Sequence, residues 1–196
     1  MNNNNKTFLE FTEFGKIEDV YNKIQDRSGL IEFVNNVVMN MDMFDENNNN
    51  GYGIMLKDLS NIYVLVSKAS FPFNKLNSNQ NNRIDLQGTK HGVVLGYIWL
   101  CPWKVKEKSS IPYHFINFID SRITGLNIAK YMIRQYESES LHRCHLFPFE
   151  IMSGAQEYWK KYFSDVYNIN NMNELKKMIN DYHLTTNDIK WDNLTL

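Results

Sequence analysis

Tyr113-His114-Phe115-Ile116-Asn117-Phe118-Ile119-Asp120, then Ser121-Arg122-Ile123-Thr124-Gly125-Leu126-Asn127, then Ile128-Ala129-Lys130-Tyr131-Met132-Ile133-Arg134-Gln135-Tyr136 is the stretch whose reading decides the fold. The first block is rich in aromatic and β-branched residues and predicts a strand. The second carries Gly125 among small and polar residues and predicts a turn. In the third, Ile128, Ala129, Met132, Ile133 and Tyr136 recur at three- and four-residue spacing, the period of an amphipathic helix. Strand, short turn and helix in that order present a helix N-terminus, with N–H groups that have no intrahelical acceptor, to whatever lies above the turn. That arrangement suits the phosphates of a nucleotide-tailed cofactor.

Working outward, Cys144-His145-Leu146-Phe147-Pro148-Phe149 predicts a fifth strand, with Pro148 marking an edge, a bulge or a strand end. Ala155, Tyr158, Trp159, Tyr162 and Phe163 then predict an aromatic helix. Upstream, residues 7–11 read as a first strand and residues 16–27 as a first helix carrying Ile17, Val20, Tyr21 and Ile24. Leu30, Val34, Val37, Val38 and Met41 predict a second helix. Residues 62–67 and 93–100 predict neighbouring antiparallel strands, joined by a long connection over residues 72–87 that is either disordered or a lid. Leu175, Met178, Ile179 and Tyr182 predict a last helix, and Thr185-Thr186-Asn187-Asp188 offers caps for a terminal turn. The expected class is α/β, with a mixed, largely antiparallel central sheet flanked by helices.

The 196 residues, 43% hydrophobic, suffice for one buried core, so a single domain over residues 1–196 is expected. Lys and Arg number 21 against 22 Asp and Glu, a balance that argues against nucleic acid as partner. Cys101 and Cys144 are too few for a secreted disulfide scaffold, and the N-terminal residues lack an apolar leader. No apolar run reaches bilayer length. A soluble protein in the cytoplasm is expected, with the nucleus left open, no membrane partner, and no reading of oligomeric state. The asparagine runs at residues 2–5, 47–50 and 77–82 are read as polar loop padding. His142-Arg143-Cys144-His145 lacks a second pair at zinc-site spacing, so no metal is expected. The Lys104-Val105-Lys106-Glu107-Lys108 run is read as a solvated connector, and Cys101 as a quiet thiol.

The order of these elements resembles the GNAT-type N-acetyltransferase superfamily over residues 7–163, which leaves residues 164–196 as a C-terminal helical extension. In that family the acyl-CoA turn reads Arg or Gln, two residues, Gly, one residue, then Gly or Ala. Arg122-Ile123-Thr124-Gly125-Leu126-Asn127 matches the first two positions and places Asn127 at the third. A second family signature, Ala, two residues, an apolar residue, Tyr, any residue, Lys, Gly, Phe, is similar to Ala155-Gln156-Glu157-Tyr158-Trp159-Lys160-Lys161-Tyr162-Phe163. Here Trp159 stands at the family's Tyr and Tyr162 at its Gly.

The resemblance implies acetyl-CoA as cosubstrate, held by Ile119, Asp120, Arg122, Ile123, Thr124, Gly125, Leu126 and Asn127 with Trp159 as pocket wall. It implies a sheet splayed between its fourth and fifth strands beside the pantetheine arm. It also implies direct acetyl transfer to the primary amine of a small molecule, peptide or protein. His114 or Glu150 would serve as general base and Tyr162 as acid. Trp159 cannot protonate a thiolate, because an indole N–H is a donor only and does not titrate near neutral pH. The alternative implied by those departures is a catalytically inactive GNAT-like CoA-binding or protein-interaction module. A third reading is an unrelated α/β binding domain that uses its Asn-rich loops at 45–51 and 74–82 for partner contacts.

Overall fold

The computed structural model describes residues 8–26, 61–76, 84, 91–100, 113–139, 144–182, 184, 189–191, 194 and 196. The expected second helix, the terminal turn at residues 185–188, Cys101, the Lys104 run and the His142–Arg143 pair lie outside them. Among the described residues the protein is α/β, with five strands and four helices. The strands are β1 (Thr12–Lys16), β2 (Ile62–Ser67), β3 (Val94–Leu100), β4 (Tyr113–Ser121) and β5 (His145–Pro148), hydrogen-bonded in the order β1-β2-β3-β4-β5. The helices are α1 (Ile17–Val20), α2 (Ile128–Glu139), α3 (Gln156–Tyr167) and α4 (Met172–Asp181). The sheet is mixed: β1 with β2 and β2 with β3 are antiparallel, and β4 with β5 is parallel.

The chain forms two compact units, residues 1–102 with 118–135, and residues 103–117 with 136–196. In the first, β3 is buried along its whole length. Its near-continuous apolar run, Val-Leu-Gly-Tyr-Ile-Trp-Leu, is what burial on both faces demands. One face of β2 and β3 (Ile62, Val64, Val66, Val94, Tyr97, Trp99) packs against Ile17, Val20 and Ile24, with Phe118 joining from β4. On the other face, a Cβ added to Gly96 would stand 2.8 Å from the Asp120 carbonyl oxygen and 2.9 Å from both Ile128 Cγ2 and Met132 Cε. The missing side chain therefore lets the start of α2 settle directly onto β3.

Two local expectations are corrected within this unit. Phe8 and Leu9 lie in a helical turn, closed by the Phe11 N–H on the Phe8 carbonyl at 3.2 Å, and the first strand begins only at Thr12. Leu9 is buried and Thr12 donates its hydroxyl to the Leu9 carbonyl at 2.7 Å, so the turn buries Leu9 and leaves Phe8 and Phe11 half-buried. The first helix is also shorter than residues 16–27: α1 ends at Val20 and a 3₁₀ turn at Lys23. The N–H groups of Gln25 and Asp26 turn to the Gly92 carbonyl, at 3.0 and 3.2 Å, instead of to helical carbonyls.

In the second unit, Tyr113, His114, Phe115 and Ile116 of β4 pair with His145, Leu146, Phe147 and Pro148 of β5. The pairing ends with the Phe149 N–H on the Ile116 carbonyl at 2.9 Å. Pro148 closes the strand, as a residue with no N–H to donate should. The core of this unit is aromatic: Phe147 meets Tyr167, Tyr182 and Trp191, and Phe163 meets Trp159, Tyr167 and Trp191. Asn168 ends α3 in the left-handed conformation at φ 55°, and the Asn171 side chain caps α4 by accepting from the N–H groups of Asn173 and Glu174. The tail returns as a short parallel pairing of Lys190 with Glu150, anchored by the Trp191 indole N–H on the Pro148 carbonyl at 2.8 Å.

Gly96→Val should destabilise the protein by about 1–3 kcal/mol, as overpacking a closed core does. Urea unfolding followed by circular dichroism checks this, and a fall of that size with unchanged m-value is expected.

Candidate functional site

The turn between β4 and α2 is built by alternation. Ile123, Leu126 and Ile128 are buried and pin it down, while Thr124, Gly125 and Asn127 are exposed. Its base is tied to the sheet: Asp120 accepts from the Tyr97 hydroxyl at 3.2 Å and from the Ser121 N–H at 2.8 Å. The Ser121 hydroxyl donates to the Ile123 carbonyl at 2.7 Å, and the Arg122 N–H donates to the Leu95 carbonyl at 2.9 Å.

Gly125 and Asn127 both adopt left-handed backbone conformations, φ 77° and 56°. That region suits glycine and, among other residues, asparagine best, because a short polar side chain tolerates it. Asn127 therefore takes the conformation that a glycine takes, which explains physically how it can replace one. Its carbonyl accepts the Tyr131 N–H at 2.9 Å and starts α2. Left-handed residues at the mouth of a helix turn successive N–H groups toward one concavity, a geometry that holds anions.

The Arg122 side chain is turned away from the exposed residues of the turn. Its guanidinium is 2% exposed, pairs with the Asp26 carboxylate, itself 3% exposed, and donates to the Val94 carbonyl at 3.0 Å. Its side chain runs beneath the turn, leaving any anion to the backbone. Nothing in the sequence singled out Asp26; the only signal is that a buried arginine requires a buried acceptor.

The remaining candidates lie in the other unit. His114 is exposed, with Nδ1 3.2 Å from the Tyr136 hydroxyl. When Nδ1–H donates to that oxygen, Nε2 is left unprotonated and able to accept a proton. Glu150 is exposed at the end of β5, with Lys190 Nζ 3.9 Å away. Trp159 and Tyr162 are buried at 3% and 2% in the aromatic core, 5.4 Å apart between ring centroids and nearly perpendicular. Ile119 and Asp120 belong to the unit of the turn, whereas His114, Glu150, Trp159 and Tyr162 belong to the other unit.

A polar chain that periodicity does not disclose joins Glu137, Tyr167 and His145. The Tyr167 hydroxyl donates to Glu137 at 3.3 Å and lies 3.3 Å from His145 Nδ1, while Glu137 also accepts the Leu146 N–H at 3.1 Å. Burial pushes the Tyr167 phenol well above its ordinary range, with the Tyr162 and Glu137 neighbours adding to the effect. Burial, then the Glu137 charge, pushes the Cys144 thiol up to about 12, so it stays protonated and is a poor nucleophile near neutral pH.

Among the described residues, no group of three or more His, Cys, Asp or Glu could hold a metal ion, and no helix is long and apolar enough to cross a membrane. No protein-family model, no curated protein and no solved structure matches the chain.

Asp26→Ala should cost about 3–5 kcal/mol of stability, because it strands the buried Arg122 charge. The double replacement Asp26→Leu with Arg122→Met should recover most of that loss. Denaturant titration of the three proteins checks both expectations.

Proposed function

We propose that the protein is an acetyl-CoA-dependent N-acetyltransferase of GNAT type, holding the pyrophosphate at the Arg122-to-Asn127 turn and transferring the acetyl group directly to a primary amine. The observation that carries this reading is the pair of left-handed residues, Gly125 and Asn127, opening a 12-residue helix. The helix dipole adds favourable potential for an anion there. Thr124, Gly125 and Asn127 are exposed residues of the turn, where the family resemblance would set the phosphates.

Acetyl-CoA carries the acetyl group as a thioester, and transfer forms the amide C–N bond while the C–S bond breaks. One proton must leave the amine nitrogen and one must reach the departing sulfur. His114 Nε2 suits the first task when Nδ1–H is engaged by Tyr136, since the lone pair then left on Nε2 can accept the amine proton. Glu150 is the second candidate. Much of the acceleration would come from holding two reactants together.

A second reading, CoA binding without transfer, is favoured by the burial of Trp159 and Tyr162 in an aromatic core. Ring packing of that kind keeps Tyr162 from serving as a solvent-linked acid.

Isothermal titration with acetyl-CoA tests the proposal. The parent should bind with about micromolar Kd. Thr124→Glu, which sets a carboxylate beside the phosphates, should weaken binding at least about tenfold, and Asn127→Gly should retain it. Acetylation of an amine panel that disappears in His114→Ala would favour the enzyme; binding with no turnover would favour the second reading. No binding by the parent contradicts both.

A further inference from the structure

A concave feature lies in the unit of residues 1–102 with 118–135, and no role assigned above uses it. It is a cleft of about 360 Å³ at the end of β2, lined by Glu13, Lys23, Gln25, Ser67, Lys68 and His91 among others. That volume falls at the lower end of the roughly 300–1,000 Å³ range of small-ligand sites.

One side of the cleft, at Gly92, is fixed by backbone. The Gly92 N–H donates to the Ser67 carbonyl at 2.9 Å, and the Gly92 carbonyl accepts from both Gln25 and Asp26. Gly92 sits at φ +68°, and a Cβ there would stand 2.1 Å from the Lys23 carbonyl oxygen, so only glycine closes the wall. A preformed wall reduces the ordering cost of binding.

Among the described lining residues the charges do not cancel. Lys23 is paired with Glu13, whereas Lys68 has no carboxylate partner among the described residues and reaches only the Glu10 carbonyl at 3.5 Å. The remaining polar groups include donors beside the amide carbonyls of Asn22 and Gln25. Gln25 Nε2 lies 2.7 Å from His91 Nε2; with the amide donating, the neutral ring carries its proton on Nδ1. Ser67, 4% exposed, accepts the Val93 N–H at 3.0 Å and keeps its own hydroxyl proton to give. An excess of one positive charge, several N–H and O–H donors, and apolar wall from Val66 and Ala69 together specify an anion with a small carbon body.

We propose that this cleft is a binding site for a small organic carboxylate, with Lys68 as the charge partner and Ser67 and His91 as orienting donors. Its occupancy is independent of acetyl-CoA, so its test stands or falls separately from the reading of the turn.

Titration of the ¹⁵N-labelled full chain with sodium glutarate at low ionic strength, followed by amide chemical shifts, is the direct experiment. Saturable shifts at Ser67, Lys68 and Gly92 are expected, weakened at least about tenfold in Lys68→Met, as loss of a charge-assisted hydrogen bond predicts. The control Lys75→Met, on an exposed lysine outside the cleft, should bind as the parent does. Thermal melts confirm that both variants fold. Absence of saturable shifts at those amides overturns the proposal. So does equal affinity of Lys68→Met and parent, or an equal response to uncharged glutaramide.

Discussion

The ion pair between Arg122 and Asp26 is the constraint on which the turn depends. Two charges taken almost wholly out of water carry a desolvation penalty of several kcal/mol each, tolerable only where geometry and further hydrogen bonds satisfy them. Here the Val94 carbonyl accepts a further hydrogen bond from the guanidinium, and the Arg122 N–H is held by Leu95. The turn is thus fastened to β3 through both the backbone and the side chain of one residue. Asp26 in turn hangs from the Gly92 carbonyl, which lies between β2 and β3. Removing the pair would loosen the first residues after α1, the entry to β3 and the exit from β4 together.

Because the arginine is spent beneath the turn, the anion recognition proposed for it falls to backbone. This changes what the motif resemblance means for this chain. Arg122 is a positioning residue, and the exposed residues Thr124, Gly125 and Asn127 face solvent above it. A residue-by-residue comparison of side chains makes Asn127 a departure from the family turn. Comparison of backbone conformations does not, since its φ of 56° lies where glycine is ordinarily required. The same residue type ends α3 in the same conformation at Asn168, so this asparagine-rich chain uses asparagine where others use glycine.

The strands were legible where burial writes a long signal. Residues 62–67, the run ending at Leu100 and the strand before the turn all stand where β-branched and aromatic runs place them, to within a few residues. The start of the chain was not legible, because Phe8, Leu9 and Phe11 satisfy a strand pattern and a buried helical turn equally well, and the decision rests on the Phe11 and Thr12 hydrogen bonds. The early end of α1 was invisible for a similar reason: the acceptor that diverts Gln25 and Asp26 is Gly92, far along the chain. Of the candidate site, the turn was legible from Gly125 and the helix after it. The inward course of Arg122 was not, as it depends on a carboxylate 96 residues away. The Glu137, Tyr167 and His145 chain joins three elements and has no local signature at all.

Hydrogen–deuterium exchange of the full chain with and without acetyl-CoA tests most directly whether backbone at the turn binds the cofactor. The account predicts that acetyl-CoA slows exchange in the peptides covering residues 124–129 more than anywhere else in the unit of residues 1–102 with 118–135. Unchanged exchange over residues 124–129, or protection confined to other segments, would contradict it.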